Sequence, residues 1–186
     1  MFLPPGASGE SGSASLPVGM SRREQIKMDG EEAAAFLTEE RTVVCATLGP
    51  HGWPHLMPLW YVLREHPDSG PGPQLWSWTY AASQKVRNLE RDQRATLQVE
   101  AGELYQELRG VMLECEVRIH RDIETVSALG REILTRYAVG RDEPPLAELP
   151  AEVGAVVDAQ AAKRVGLQFV ELRRSTWDHR KLAGVY

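Results

Sequence analysis

The sequence predicts a mainly β fold, an antiparallel barrel of about six strands with helices at its periphery. Three observations lead there. Residues 111 to 119 alternate strictly: Val111, Leu113, Cys115, Val117 and Ile119 share one face, and Met112, Glu114, Glu116 and Arg118 share the other. Further β-prone runs follow one another through turn-rich connections that suit hairpins. Helical spacing is concentrated before residue 40 and between 122 and 162, so strands and helices do not alternate as a doubly wound sheet requires.

Taken in order, residues 1–20 are rich in Gly, Ser and Pro and lack core-forming periodicity. Too little apolar surface is available there to offset the entropy of ordering, so a disordered extension is expected, with Met20 an alternative start. Residues 21–186 form a single expected domain. A helix begins after Asp29, an N-cap followed by Glu31 and Glu32 at the positive end of the helix dipole. The run TVVCATL (42–48) is a strand, Gly49 to Gly52 a turn, and PHLMPLWYVLR (54–64) the returning strand. HPDSGPGPQ (66–74) is a loop, and LWSWTY (75–80) a third strand. A short helix spans 83–91, with Val86 and Leu89 on one side, and RATLQVE (94–100) resumes the sheet. After strand 111–119 come helices over 122–137 and 151–162, separated by EPPLAELP, and then a closing strand over 163–174.

Composition narrows the function classes. The chain is 42% hydrophobic and 25% charged, as a globular protein is. A net charge of −5 argues against a nucleic-acid partner, which selects a basic face. No apolar run reaches membrane-spanning length, and Met1 to Pro5 carry no basic n-region or long apolar stretch, so a cytoplasmic protein without a membrane partner is expected. Cys45 and Cys115 both sit in strands and read as buried free thiols. His51, His55, His66, His120 and His179 are scattered, no Cys/His spacing matches a zinc site, and no metal is expected.

The informative stretch is WSWTYAASQKVRNL (76–89). A strand ends near Thr79, small residues follow, and Ser83 opens a helix whose free N–H groups suit an anion. Ser83 adds a hydroxyl, Lys85 an ammonium, and Arg87 and Asn88 further donors, enough to neutralise a phosphate dianion from local sequence alone. A serine cap with a basic first turn is also an ordinary structural feature, so both readings stand at this point. Trp53, Trp60, Trp76 and Trp78 suit either ring stacking or a core. His179 suits a substrate or a tail clasp, and Asp178 and Arg180 suit a simple ion pair.

In these residues the chain resembles the pyridoxamine 5'-phosphate oxidase-like split β-barrel superfamily, most closely its branch of F420-dependent (deazaflavin) oxidoreductases. The stretches that carry the resemblance are ATLGPHGWPHLMPLWYV (46–62), SWTYAASQKVRNLERDQRATLQVE (77–100), LRGVMLECEVRI (108–119) and TWDHRKL (176–182), the S-Q-K-V-R-N-L run being the most specific. The resemblance implies a homodimer with two cofactors at the subunit interface. It implies that Thr79, Ser83, Lys85 and Asn88 hold the cofactor phosphate. The tricyclic ring would lie along His55 to Leu59, beside His55, Met57 and Pro58 and within reach of Trp78, with Tyr105 and Trp177 near the partner's contribution. Two departures separate the chain from the oxidase itself: Gln84 stands before Lys85 where that enzyme carries Arg, and Trp177-Asp178-His179-Arg180 replaces its Arg-x-His motif.

The resemblance therefore implies an oxidoreductase that passes a hydride from reduced F420 to a conjugated small molecule such as an enone or quinone. FMN in place of F420, or a non-catalytic carrier of flavin, deazaflavin or haem, are the alternatives. The sequence shows no catalytic triad or dyad. None is required where the cofactor carries the hydride and the protein supplies position and electrostatics.

Overall fold

The structure is a computed structural model describing residues 21–65, 73–140 and 143–182. The expected disordered extension, 1–20, and most of the predicted loop, 66–72, lie outside the described residues. Among the described residues seven antiparallel strands form one sheet, in the order β2-β1-β5-β6-β7-β4-β3. They are β1 (Thr42–Leu48), β2 (Pro54–Trp60), β3 (Val62–Arg64), β4 (Gln74–Tyr80), β5 (Arg94–Ala101), β6 (Arg109–His120) and β7 (Arg164–Asp178). The sheet curls until edge strand β2 comes against β4, which makes the barrel. Its interior holds Val43, Leu97, Val111, Leu113, Leu167 and Phe169, all essentially without solvent exposure.

Among the described residues five α-helices surround it: α1 (Arg22–Gln25), α2 (Gly30–Glu39), α3 (Gln84–Arg91), α4 (Ile123–Tyr137) and α5 (Ala151–Ala161). The Asp29 cap forms as the sequence predicts. Its carboxylate accepts from the Glu32 N–H at 2.9 Å, and the Glu32 carboxylate accepts from the Asp29 N–H at 2.8 Å. Helix α3 closes one end of the barrel by burying Val86 and Leu89 completely. Helix α4 covers the opposite face of the β3–β4 corner, where Val62, Trp76, Leu129 and Ile133 make a second, smaller core. Gly130 allows that approach, because a Cβ there would lie 2.5 Å from Trp78 Cζ3.

Three differences from the sequence expectation have physical causes. The long return strand 54–64 is two strands broken at Tyr61, so the sheet has seven strands and not six. β2 pairs with β1, whereas β3 pairs with β4. Tyr61 takes the corner by turning its ring fully inward. Its hydroxyl lies 2.6 Å from Leu37 O and 2.7 Å from Glu40 O, and Arg136 donates to Tyr61 O at 2.8 Å. The closing strand is longer than expected: Ser175 to Asp178 pair with Arg109 to Met112 of β6, past a register shift at Glu114/Cys115. Helix α1, capped by Ser21, is too short to leave a periodic signal.

Exchange of Tyr61 for Phe tests the corner. It removes the buried hydroxyl that binds the carbonyls ending α2, and should cost about 1–2 kcal/mol. Urea denaturation of Tyr61→Phe should show a lower midpoint with an unchanged slope; an unchanged midpoint would contradict the role given to Tyr61.

Candidate anion and cofactor site

The turn from β4 into α3 brings the predicted phosphate residues together. Thr79 points to the barrel side of β4 and is buried, and the Lys85 ammonium donates to its Oγ1 at 2.9 Å. Lys85 is only 7% exposed, and among the described residues no carboxylate pairs with it. Burial pushes its pKa below the ordinary 10.5, and the neighbouring Arg164 cation adds to that effect. A buried cation without a counter-ion is costly on its own, and an anion brought into this turn removes the cost.

Ser83 is the N-cap of α3 by position, yet its side chain makes no cap hydrogen bond. Its Oγ is buried without a hydrogen-bond partner. The first turn of α3 is therefore left open at its N-terminus, with backbone donors and a positive dipole end facing outward. An orphaned hydroxyl, an uncompensated ammonium and an uncapped helix start converge on one turn. That set of donors fits a phosphate group.

Asn88 has a different position. It is fully buried, donates to Thr47 Oγ1 at 3.0 Å and accepts from Gln84 Nε2 at 2.8 Å. Its amide locks α3 to β1 and thereby sets where Lys85 emerges. Thr47, which the sequence did not single out, is the receptor for that lock. On β2, His55 stands opposite Thr47 in register and Met57 opposite Cys45, so both face the barrel side with the anion turn. The His55 Nδ1 is buried without a partner. Met57 remains 40% exposed, an apolar surface at the barrel mouth.

The remaining predicted residues lie apart from this cluster. Pro58 is on the other, exposed face of β2, so only its backbone can meet a ring lying along the strand. Trp78 is on the outer face of β4, against Gly130 of α4 and beneath Arg164, whose guanidinium carbon lies 4.3 Å from the ring centroid. Arg87 is exposed on the solvent side of α3. Tyr105 packs on His179 with ring centroids 4.5 Å apart, and Trp177 fills the space over Gly110. Asp178 pairs with Arg180 at 2.6 Å, so the closing motif is tied within itself.

Cys45 lies in the same inward row as Thr47, but burial pushes its thiol up to about 12, which leaves it without thiolate chemistry near neutral pH. Cys115 is held up to about 12 in the same way, and both cysteines are free. Among the described residues, no group of three His, Cys, Asp or Glu side chains is arranged to hold a metal, and no helix is long and apolar enough to cross a membrane.

Comparison with known proteins agrees with this geometry. A conserved hypothetical protein of Mycobacterium tuberculosis is 34% identical, with a TM-score of 0.74 over 90% of this chain and 95% of that one. An F420 reductase shares the fold at 21% identity and a TM-score of 0.55, over 80% of this chain and 98% of that one. An FAD-binding protein of Mesorhizobium loti does so at 16% identity and 0.55, over 81% and 94%. No curated protein matches the sequence. The family model described as pyridoxamine 5'-phosphate oxidase matches residues 30–160, which include the whole anion turn and most of the barrel, and the chain belongs to that family.

Proposed function

We propose that this protein is an F420-dependent oxidoreductase that reduces a conjugated small molecule, and that it works as a homodimer. The observation that carries the cofactor reading is the buried Lys85 ammonium, held at Thr79 Oγ1 with no carboxylate beside it among the described residues and with the orphaned Ser83 hydroxyl in the same turn. Thr79, Ser83 and Lys85 would hold the cofactor phosphate. His55 and Met57, on the barrel side of β2, would border the ring, with the backbone of β2 meeting its polar edge.

When bound, the cofactor supplies the hydride. The protein's own residues orient it, exclude water from the apolar mouth around Met57 and Leu59, and compensate the phosphate charge. The fold shared with an F420 reductase fits deazaflavin as the cofactor. So does the absence of the oxidase's Arg at Gln84 and of its Arg-x-His ending, since here Asp178 pairs with Arg180 and His179 is bonded to Tyr105 O. FMN is the alternative ligand for the same donors, and the likeness to an FAD-binding protein keeps it in play.

A second copy suits the outer face of the β2–β1 edge. Leu48, 41% exposed, and Leu172, 65% exposed, line a concavity of about 390 Å³ with Ala46, Pro54, Thr96 and Glu114, and Leu56, 58% exposed, stands beside it opposite Ala46. Apolar surface of this kind on a sheet face commonly marks an interface. Sedimentation should give twice the chain mass for the parent and a shift toward the monomer for Leu56→Glu; a monomeric parent would refute the assembly.

Reduced F420 offered with a panel of enones and quinones tests the activity, and no binding of F420 at micromolar levels would end the proposal. Lys85→Met separates a ligand-holding role from a structural one. Removing an uncompensated buried charge should leave the cofactor-free protein as stable as the parent or more so, while weakening F420 by tenfold or more (about 1.4 kcal/mol or above). A destabilised variant with unchanged affinity would reverse the assignment. The lowered Lys85 pKa also sets a pH sense. The ammonium binds the phosphate, so affinity should fall as pH rises through a value below 10.5, and Lys85→Arg should remove that dependence. Affinity in the parent that does not fall before pH passes 10.5 would contradict a phosphate held by Lys85.

A further inference from the structure

Arg164 opens β7 and pairs in register with Tyr80 at the end of β4. Its guanidinium carbon lies 4.3 Å from the Trp78 ring centroid and 4.1 Å from that of Tyr80, so two aromatic rings hold the group in place. Among the described residues no carboxylate pairs with it, and its Nε is buried without an acceptor. The residue before it is fixed to the anion turn: Ala81 N–H donates to Lys163 O at 3.0 Å. Arg164 therefore flanks the same turn that presents Ser83 and Lys85. Its charge is near enough to depress the Lys85 pKa. Both cations border this turn, one from the barrel side and one from the outer face of β4, and an anion bound there attracts both.

We propose that Arg164, clamped between the rings of Trp78 and Tyr80, is the second cation of the anion site and recognises the phosphate-bearing end of the cofactor. This inference rests on the cofactor reading above and adds to it a residue from the far end of the sequence. Cation–π contact with both rings restricts the guanidinium before the ligand arrives, so little side-chain entropy is lost on binding. An arginine that only covered Trp78 would need its stem and the stacking, and would have no bearing on whether a ligand carries phosphate.

The discriminating measurement is the ratio of affinities for F420 and its phosphate-free ribityl deazaflavin, or for FMN and riboflavin, by quenching of fluorescence. Arg164→Gln should weaken the phosphorylated ligand about tenfold or more and leave the phosphate-free one within about twofold. Arg164→Lys should recover part of the loss. Equal affinities of parent and Arg164→Gln for the phosphorylated ligand would overturn the proposal. So would an equal loss for both ligands accompanied by a lower melting temperature, the signature of a mere cover over Trp78. If Arg164→Gln does not fold, Tyr80→Leu removes half of the clamp at an exposed position and should weaken the phosphorylated ligand alone; no change there overturns the proposal as well. A parent that binds neither pair, or binds both members equally, refutes the underlying phosphate reading, a result distinguishable from failure of Arg164.

Discussion

Strand β4 is buried on both faces, and the rest of the molecule is arranged around that constraint. Leu75, Ser77 and Thr79 face the barrel, while Gln74, Trp76 and Trp78 face away from it toward α4. A strand with two covered faces needs a partner layer on each side. The curled sheet supplies one and the helical segment 123–161 supplies the other. Polar atoms in such a strand have to find partners. Ser77 donates to Trp60 O at 2.7 Å, and Thr79 accepts from Lys85. Thr79 is thus a structural contact of β4 and the first residue of the anion turn.

The site follows from how the chain leaves β4. The helix that begins at Ser83 is pinned by Asn88 to Thr47 and by Arg91 to Leu48 O, two bonds that reach back to β1. Its apolar side, Val86 and Leu89, is consumed by the barrel. With the helix held by its far end, the near end is free to serve a ligand. Ser83 is left uncapped, and among the described residues Lys85 has no carboxylate, at the place where folding alone would favour satisfaction of both. Local stability given up at one turn, with the surroundings over-determined, is the pattern expected where a protein holds something for another molecule.

Sequence and structure correspond closely where information is local. The capped helix after Asp29, the alternation of 111–119 and the strand–turn–helix over 75–91 are all present within a residue or two of their expected bounds. The grouping of Thr79, Ser83 and Lys85 was legible because all three lie within seven residues and one turn. Asn88 was legible as a member of the group, but the destination of its amide was not, since Thr47 lies 41 residues away. The break at Tyr61 was hidden for the same reason. Nothing in PHLMPLWYVLR says that its two halves pair with different strands, because that depends on where the curled sheet places β4.

The sequence by itself determined the kinds of element, their order and the chemistry of one turn, since hydrophobic period, caps and a run of donors are properties of neighbouring residues. Only the tertiary structure decided which face each side chain occupies and which distant residues meet. It sent Thr79 inward and Trp78 outward from adjacent positions, and brought Arg164 from the last strand to the end of β4. Antiparallel pairing across a curled sheet joins residues as far apart as Tyr80 and Arg164 or Leu75 and Phe169, and the free energy that selects that register is spread over the whole core and is not written in any one segment.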